Sequence, residues 1–104
     1  MDEFSVQIVR SAENDLRDIR DYISSQLNAP VTALNMSRTI TDAIAKLKTT
    51  ALAHPLVRDD RLAAIGYRPL IIKNYIAFYI VNEKERIAFV ERILYARRDW
   101  MSIL

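Results

Sequence analysis

The side chains that point most directly to chemistry form a short cationic segment near the carboxy terminus. An apolar run ends in Tyr95 and is followed by Arg97 and Arg98. Two adjacent arginines after a buried strand gain little for folding, whereas guanidinium groups bind phosphates and carboxylates through paired hydrogen bonds. The pattern therefore indicates contact with an anionic partner.

Other common kinds of active site lack the residues that they need. The chain contains no cysteine, one histidine and one glycine. These numbers exclude a disulfide framework, a thiolate or multi-histidine zinc site and a glycine-rich phosphate loop. The histidine, His54, precedes Pro55 at a predicted helix end, and we assign it no catalytic role. We therefore expect neither a metal nor a cofactor.

The charged residues are distributed unevenly along the chain. The net charge is +2, but nine Lys and Arg face six Asp and Glu from Arg58 onward, against six and seven before it. Clustered cations raise the local potential and permit an anionic partner, either nucleic acid or an acidic protein. An ordinary solvated surface explains the charge distribution better when the distribution is taken alone.

One strand and two amphipathic helices are predicted to precede the cationic segment. Alternating apolar residues from Phe4 to Ile8 indicate a strand. Ser11 is a suitable helix cap, and apolar residues at steps of three and four continue to about Leu27. Asn28 suits the left-handed conformation past a helix end, and Pro30 suits the first turn of the next helix. The two helices should therefore form a hairpin.

Three strands are predicted after a charged loop at residues 58–61. They run from Tyr67 to Ile72, from Tyr75 to Val81 and from Arg86 to Tyr95, and all are rich in β-branched and aromatic residues. Pro69 cannot donate a ladder hydrogen bond, so its strand lies at an edge or contains a bulge. We predict an α+β fold of order β-α-α-β-β-β. An antiparallel-rich sheet carries the helical hairpin on one face, and its other face stays available.

Local signals refine this carboxy-terminal half. Lys73-Asn74 is a two-residue loop of the kind found in tight hairpins. Glu91 interrupts one face of the last strand and Arg92 interrupts the other, so periodicity leaves the orientation of that strand open. The tail from Arg97 to Leu104 is expected to contain one short helical turn.

Length and hydropathy bound the organisation of the chain. With 104 residues, about half of them apolar, there is room for one hydrophobic core, and we expect a single domain over residues 1–104. The longest apolar run is far shorter than the roughly 18 residues of a membrane span. The amino terminus carries acids where a signal peptide has positive charge, so we expect a cytoplasmic protein without membrane association.

Four segments, in the order of the predicted elements, resemble the sequence pattern of the RelE/ParE toxin family. The stretch from Ala12 to Ile23 resembles the first-helix pattern A-x-x-D-L-x-x-I-x-x-Y-I, and Tyr67-Arg68 resembles the opening of the second strand. Asn74 to Tyr79 resembles the third-strand pattern n-Y-x-x-x-Y, and Arg92 to Asp99 resembles R-I/V-L-H-x-R-R-D. Tyr95 stands where the family usually has histidine.

The resemblance implies the toxin of a type II toxin–antitoxin system, held by a cognate antitoxin in a hetero-oligomer. RelE-like members of the family are ribosome-dependent mRNA endoribonucleases, and ParE-like members poison DNA gyrase. Ile76 stands where RelE-like nucleases commonly have an arginine, and a tyrosine is a poor general base because its ordinary pKa is near 10. We therefore favour DNA gyrase as the target, with the ribosome and its mRNA as the alternative partners.

The same resemblance makes five residues candidates for contact with the target, or for catalysis if the protein is an mRNA interferase. These candidates are Arg68, Lys73, Tyr95, Arg97 and Arg98. A non-toxic module that binds nucleic acid is a weaker hypothesis, because the net charge is modest and no recognition-helix pattern is present.

Structural roles are the alternative for several of these side chains. Arg68 and Arg92 are the arginines expected to pair with acids such as Glu91 or Glu85, in which case they add little. Trp100 is either a lid over the core or an exposed anchor for a partner. Three tyrosines are interpreted as core aromatics whose hydroxyl reaches the surface: Tyr22, Tyr75 and Tyr79.

Overall fold

A four-stranded sheet organises the chain in the computed structural model, which describes residues 3–104 and leaves Met1 and Asp2 of the acidic amino terminus outside. The strand order is β1-β4-β3-β2, with β1 parallel to β4 and the other neighbours antiparallel. The predicted α+β class and antiparallel-rich sheet are therefore confirmed. The strands are β1 (Ser5–Ile8), β2 (Arg68–Ile72), β3 (Tyr75–Asn82) and β4 (Ile87–Tyr95).

The predicted helical hairpin covers one face of this sheet. Its first arm is α1 (Arg10–Asp21), extended by a π-helical turn at Tyr22–Gln26, and its second arm is α2 (Pro30–Ala45), followed by the short α3 (Leu47–Thr50). Asn28 has a φ of 51°, so the expected left-handed residue does separate the arms. Pro30 opens α2 as expected, because its missing N–H is one that no helix start needs.

The start of α1 differs from the prediction. Val9 is the residue before the helix, and no side chain caps it. The hydroxyl of Ser11 instead donates to the carbonyl oxygen of Glu91 in β4, at 2.9 Å. A local signal for capping was overridden by a contact between residues far apart in the sequence.

The main core lies between the hairpin and the sheet. Apolar residues of α1, α2 and α3 meet the side chains of all four strands there, and each large side chain that is fully buried contributes about 1.5–3 kcal/mol. Tyr79 is buried within this core, and its hydroxyl donates to the carbonyl of Ala51 at 2.6 Å. This hydroxyl was expected to reach the surface, and it does not. The buried members are Phe4, Ala12, Ile40, Ile44, Leu47, Ala51, Leu70, Ile72, Ala77, Tyr79, Ala88, Val90 and Ile93.

The opposite face of the sheet is partly covered, which corrects the expectation of an open face. A helix that was not predicted, α4 (Asp60–Ile65), begins within the charged loop, and its Leu62 is buried on this face. Asp59 caps α4 by accepting from the Leu62 N–H at 2.9 Å, and Gly66 ends it with a φ of 108°. Sequence periodicity missed α4 because six residues with one buried apolar side chain form no stripe.

The carboxy-terminal tail completes this second cluster. It forms α5 (Trp100–Ile103), which confirms the predicted helical turn. Trp100 packs against Phe78, with ring centroids 5.1 Å apart, and Leu94 is buried beside them. Arg61 of α4 donates to the carbonyl of Met101 at 3.0 Å. Trp100 is thus a lid over the core.

Two irregularities of the sheet explain what periodicity left open. β2 pairs with β3 alone, so Pro69 does lie on an edge strand. The pairing of β3 with β4 jumps from Phe78 opposite Arg92 to Tyr79 opposite Val90, which leaves Glu91 as the extra residue of a β-bulge. The bulge shifts the alternation by one residue, and this shift is why both faces of β4 seemed to be interrupted.

Candidate functional site

Four of the five predicted site residues lie at one end of the sheet. Lys73 is in the β2–β3 turn, with a φ of 55°, and Tyr95 ends β4 directly opposite Tyr75. The amide of Ala96 donates to the carbonyl of Asn74 at 2.8 Å, which ties the start of the tail to the turn. Lys73, Tyr95, Arg97 and Arg98 are all exposed there. We call these four residues the cationic end.

The structure does not bring Arg68 to this cationic end. Arg68 begins β2 and lies opposite Tyr79, four residues or roughly 13 Å before the last residue of the strand. Its guanidinium donates to the backbone carbonyl of His54, at the turn that follows α3. This contact holds β2 to the end of the helical arm. Arg68 therefore contacts a backbone carbonyl, and not a carboxylate such as Glu91 or Glu85 with which it was expected to pair.

Tyr79 is a buried phenol that lies near the cationic side chain of Arg68. Burial raises the pKa of Tyr79 to about 12, and the nearby charge of Arg68 acts in the opposite direction. The ring of His54 meets that of Tyr79 edge to face, with centroids 6.2 Å apart. The histidine therefore belongs to this structural corner, away from the cationic end.

An aromatic groove adjoins the cationic end on the helical face. The rings of Tyr75 and Tyr95 meet edge to face at 5.9 Å, and burial, followed by the neighbouring Tyr95 and Tyr22, raises the pKa of Tyr75. The Tyr75 hydroxyl is thus neutral at physiological pH and cannot act as a base. The groove has a volume of about 720 Å³ and is lined by Asp15, Asp18, Ile19, Tyr22, Leu27, Tyr75, Ile93, Leu94, Tyr95 and Arg98.

Two predicted core residues, Tyr22 and Leu27, line this groove at the two ends of the π-helical turn. The amide of Leu27 donates to the carbonyl of Tyr22, five residues back, at 3.2 Å. Such a turn holds an extra residue, rotates the next residues off the apolar stripe, and is frequent at functional sites. Leu27, which follows the turn, is consequently 56% exposed, and Tyr22, at its start, is 55% exposed rather than buried.

An ion pair that the sequence did not indicate joins α1 to β4. Arg92 donates from Nε to Oδ2 of Asp15 at 2.7 Å and from Nη2 to Oδ1 at 2.9 Å. The hydrogen bonds to Asp15 raise the pKa of Arg92, against the opposing effect of burial. Arg92 was expected to pair with Glu91 or Glu85. It is satisfied within the fold by another acid, so it is not free to meet a partner.

Neither a metal-binding group of side chains nor a membrane-spanning helix is present in the part of the chain that the structure describes. No three His, Asp or Glu side chains of residues 3–104 are grouped closely enough to hold a metal ion. Within the same range, no helix combines the length and the apolar character that crossing a bilayer requires. The described residues do present exposed cations, an aromatic groove and an open strand edge.

The relatives of the chain identify the family. A model of the ParE toxin of the type II toxin–antitoxin system parDE matches residues 6–100. The chain belongs to the ParE toxin family. The predicted resemblance to RelE/ParE toxins is thereby confirmed, and the protein is the toxin of a type II toxin–antitoxin system.

Solved structures share the fold of this ParE-family toxin. The chromosomal ParDE toxin–antitoxin system from P. aeruginosa matches with a TM-score of 0.77 and 21% identity, over 93% of this chain and 100% of the other. The RelBE2 toxin–antitoxin complex from Mycobacterium tuberculosis matches with a TM-score of 0.63 and 14% identity, over 89% and 98%. A comparison with curated protein sequences gave no significant match.

Proposed function

We propose that this ParE-family toxin inhibits growth by poisoning DNA gyrase in the cytoplasm and that the cationic end contacts the target. The observation that carries the proposal is that three exposed cations gather at one end of the sheet, beside Tyr95. Lys73, Arg97 and Arg98 are exposed, and their side chains form no ion pair or hydrogen bond with any residue from 3 to 104. Gyrase bound to DNA presents phosphates and acidic side chains, both of which arginine binds well.

The groups around the cationic end fit a binding surface better than a nuclease. RNA cleavage by 2′-hydroxyl attack requires groups that move protons near neutral pH. The one histidine lies beside Tyr79 at the other end of β2, and the pKa of Tyr75 is raised. Ile76 packs into the apolar cluster on the opposite face of the sheet. These placements support inhibition without RNA cleavage.

The charge of the groove supports the same choice. Asp15 and Asp18 both line it. Asp15 is neutralised by Arg92, but Asp18 has no such partner among the described residues. An RNA phosphate in this groove would meet the exposed carboxylate of Asp18 as well as the guanidinium of Arg98, so the groove offers it no net attraction. A protein partner can pair with both charges.

The antitoxin is the second partner, and we place it over the helical hairpin and the free edge of β2. The two solved relatives were obtained as toxin–antitoxin systems, which supports such a partner. Val31 on the hairpin and Ile71 on β2 are 71% and 73% exposed. An amphipathic helix on the first and an added strand on the second would cover them, and a hetero-oligomer follows.

Two assays on one preparation of antitoxin-free toxin test the proposed target. The first measures supercoiling by gyrase and the trapping of cleaved DNA complexes, and the second follows cleavage of mRNA on translating ribosomes. We expect inhibition in the first and intact mRNA in the second. Codon-positioned mRNA cuts with gyrase unaffected would overturn the gyrase proposal. That result would instead establish an mRNA interferase that uses the cationic end.

A further inference from the structure

β4 extends beyond the strand that pairs with it on one side. β1 follows β4 only as far as Ile8 opposite Val90, after which the chain turns into α1. β4 continues to Tyr95, at the cationic end, and no strand of the described sheet accompanies it on that side. Backbone groups on a strand edge need other partners when they are shielded from water.

Side chains of helix α1 serve as these hydrogen-bond partners. Ser11 donates to the carbonyl oxygen of Glu91 at 2.9 Å, and Oδ2 of Asp15 accepts from the amide of Ile93 at 2.9 Å. Four residues along a helix rise about 6 Å, and two residues along a strand rise about 6.6 Å. The two spacings match, so one face of α1 replaces the missing part of β1.

Asp15 is the stronger of the two anchors. Besides the Ile93 amide, its carboxylate accepts both hydrogen bonds from Arg92, which follows the bulge residue Glu91. The side chain of Asp15 is 11% exposed and that of Arg92 is 28% exposed. Hydrogen bonds of this charge-assisted kind are about twice as strong as neutral ones. A single carboxylate thus holds three donors at the point where the bulge weakens the ladder.

We propose that Asp15 is a positioning residue for target inhibition. It fixes the backbone of Ile93, two residues before Tyr95, and so sets where the cationic end projects relative to α1. The inference rests on the proposed function, because it requires that the cationic end contacts the target. Asp15 itself needs no contact with the target, since it acts through Arg92 and the Ile93 amide.

Two substitutions separate positioning from general stability. Asp15→Ala removes all three acceptor bonds, whereas Asp15→Asn keeps one amide oxygen that can still accept from the Ile93 N–H. The matched control is Asp42→Ala, which removes an exposed carboxylate of α2 that has no hydrogen bond to a described residue. The readouts are inhibitory potency per folded molecule, well below the melting temperature, and hydrogen exchange at the Ile93 amide.

Losing charge-assisted bonds should release this amide substantially. We expect Asp15→Ala to speed exchange at Ile93 by about tenfold to a hundredfold and to lower potency by at least about tenfold, with a smaller loss for Asp15→Asn. Asp42→Ala should leave both unchanged. A purely structural role predicts a lower melting temperature with full potency per folded molecule, and that result would overturn the proposal. If Asp15→Ala does not fold, Asp15→Asn gives the same decision.

A parallel variant distinguishes the failure of this inference from failure of the proposed function. Arg97→Ala with Arg98→Ala removes the target contact directly. If this double variant is inert while both Asp15 variants keep full potency, the positioning role is wrong and the cationic end stands. If the double variant also keeps full potency, the cationic end is not the target contact and both proposals fall.

Discussion

Truncating both arginines of the cationic end should abolish toxicity without unfolding the protein. Arg97 and Arg98 are exposed and have no partner among the described residues, so Arg97→Ala with Arg98→Ala should change the free energy of unfolding by about 0.5 kcal/mol or less. For a chain of this size that corresponds to a shift of at most about 4 °C in Tm. Calorimetry or thermal circular dichroism measures this shift.

The effect on the target should be far larger. An arginine buried at the centre of an interface typically costs about 2 kcal/mol or more when truncated, which is about thirtyfold in affinity. The double variant should therefore require at least about thirty times more protein to inhibit gyrase supercoiling, and cells that express it should grow. Potency in vitro and growth on induction are measured with the same variant.

A charge-matched control separates contact from long-range attraction. Arg17→Ala with Arg20→Ala removes the same net charge from α1, beside a shallow depression lined by Val6 and Ile8. Its potency should fall by no more than a few fold, and that loss should vanish as salt screens the field. Unchanged toxicity of the Arg97 and Arg98 variant, with an unchanged Tm, would show that the cationic end does not contact the target. Equal losses in both variants would mean that overall charge is responsible.

The remaining predictions concern stability and the antitoxin. Tyr79→Phe leaves the Ala51 carbonyl without its donor and should cost roughly 1–3 kcal/mol in a urea titration. Because the pKa of Tyr79 is raised to about 12, the folded state keeps this proton longer than the unfolded chain. Stability should therefore fall between pH 10 and 12 by up to about 1.4 kcal/mol per pH unit, and less so in Tyr79→Phe. Gly66→Ala places a side chain at a φ of 108° and should cost about 1 kcal/mol in the same titration. Arg20→Glu should slow antitoxin association about tenfold in stopped flow at low salt, with a smaller effect on dissociation.

Each of these outcomes has a contrary result. Equal alkaline slopes in the wild type and Tyr79→Phe would mean that other groups govern the pH dependence. A neutral Gly66→Ala would show that the end of α4 can relax, since the added Cβ lies an unstrained 3.7 Å from Cγ2 of Ile80. Unchanged association of Arg20→Glu, or protection from hydrogen exchange only on the face of α4 and α5, would move the antitoxin away from the hairpin.

The elements that the sequence predicted are those whose signals are local and repeated. The long apolar stripes of α1 and α2, the Lys73-Asn74 turn and the edge proline needed no knowledge of distant residues. The π-helical turn was not predicted, because a single extra residue leaves the composition of the apolar stripe unchanged. α4 escaped because it is too short for periodicity, although Asp59 and Gly66 are an ordinary capping residue and an ordinary stop signal.

In the candidate site, too, the sequence predicted what depends on neighbouring elements and missed what depends on distant residues. Lys73, Tyr95 and the two arginines meet at one end because the connectivity of three consecutive strands requires it. Arg68 was grouped with them by its charge and by the family resemblance, and its contact with the His54 carbonyl depends on how the sheet packs against α3. The pairing of Asp15 with Arg92 joins residues from opposite ends of the chain. No spacing rule in a single sequence indicates such a pair.

The parallel pairing of β1 with β4 has a consequence for how the protein folds during its synthesis. Ser5 pairs with Ile87, so closing the sheet encloses a loop of roughly 80 residues, at an entropic cost of about 4 kcal/mol. β2, β3 and β4 are neighbours in sequence and can zip together early, whereas β1 must wait for the last strand to be synthesised. Contacts of this range make folding slow. The nascent chain therefore cannot complete this sheet, or the core beneath it, before β4 has been synthesised.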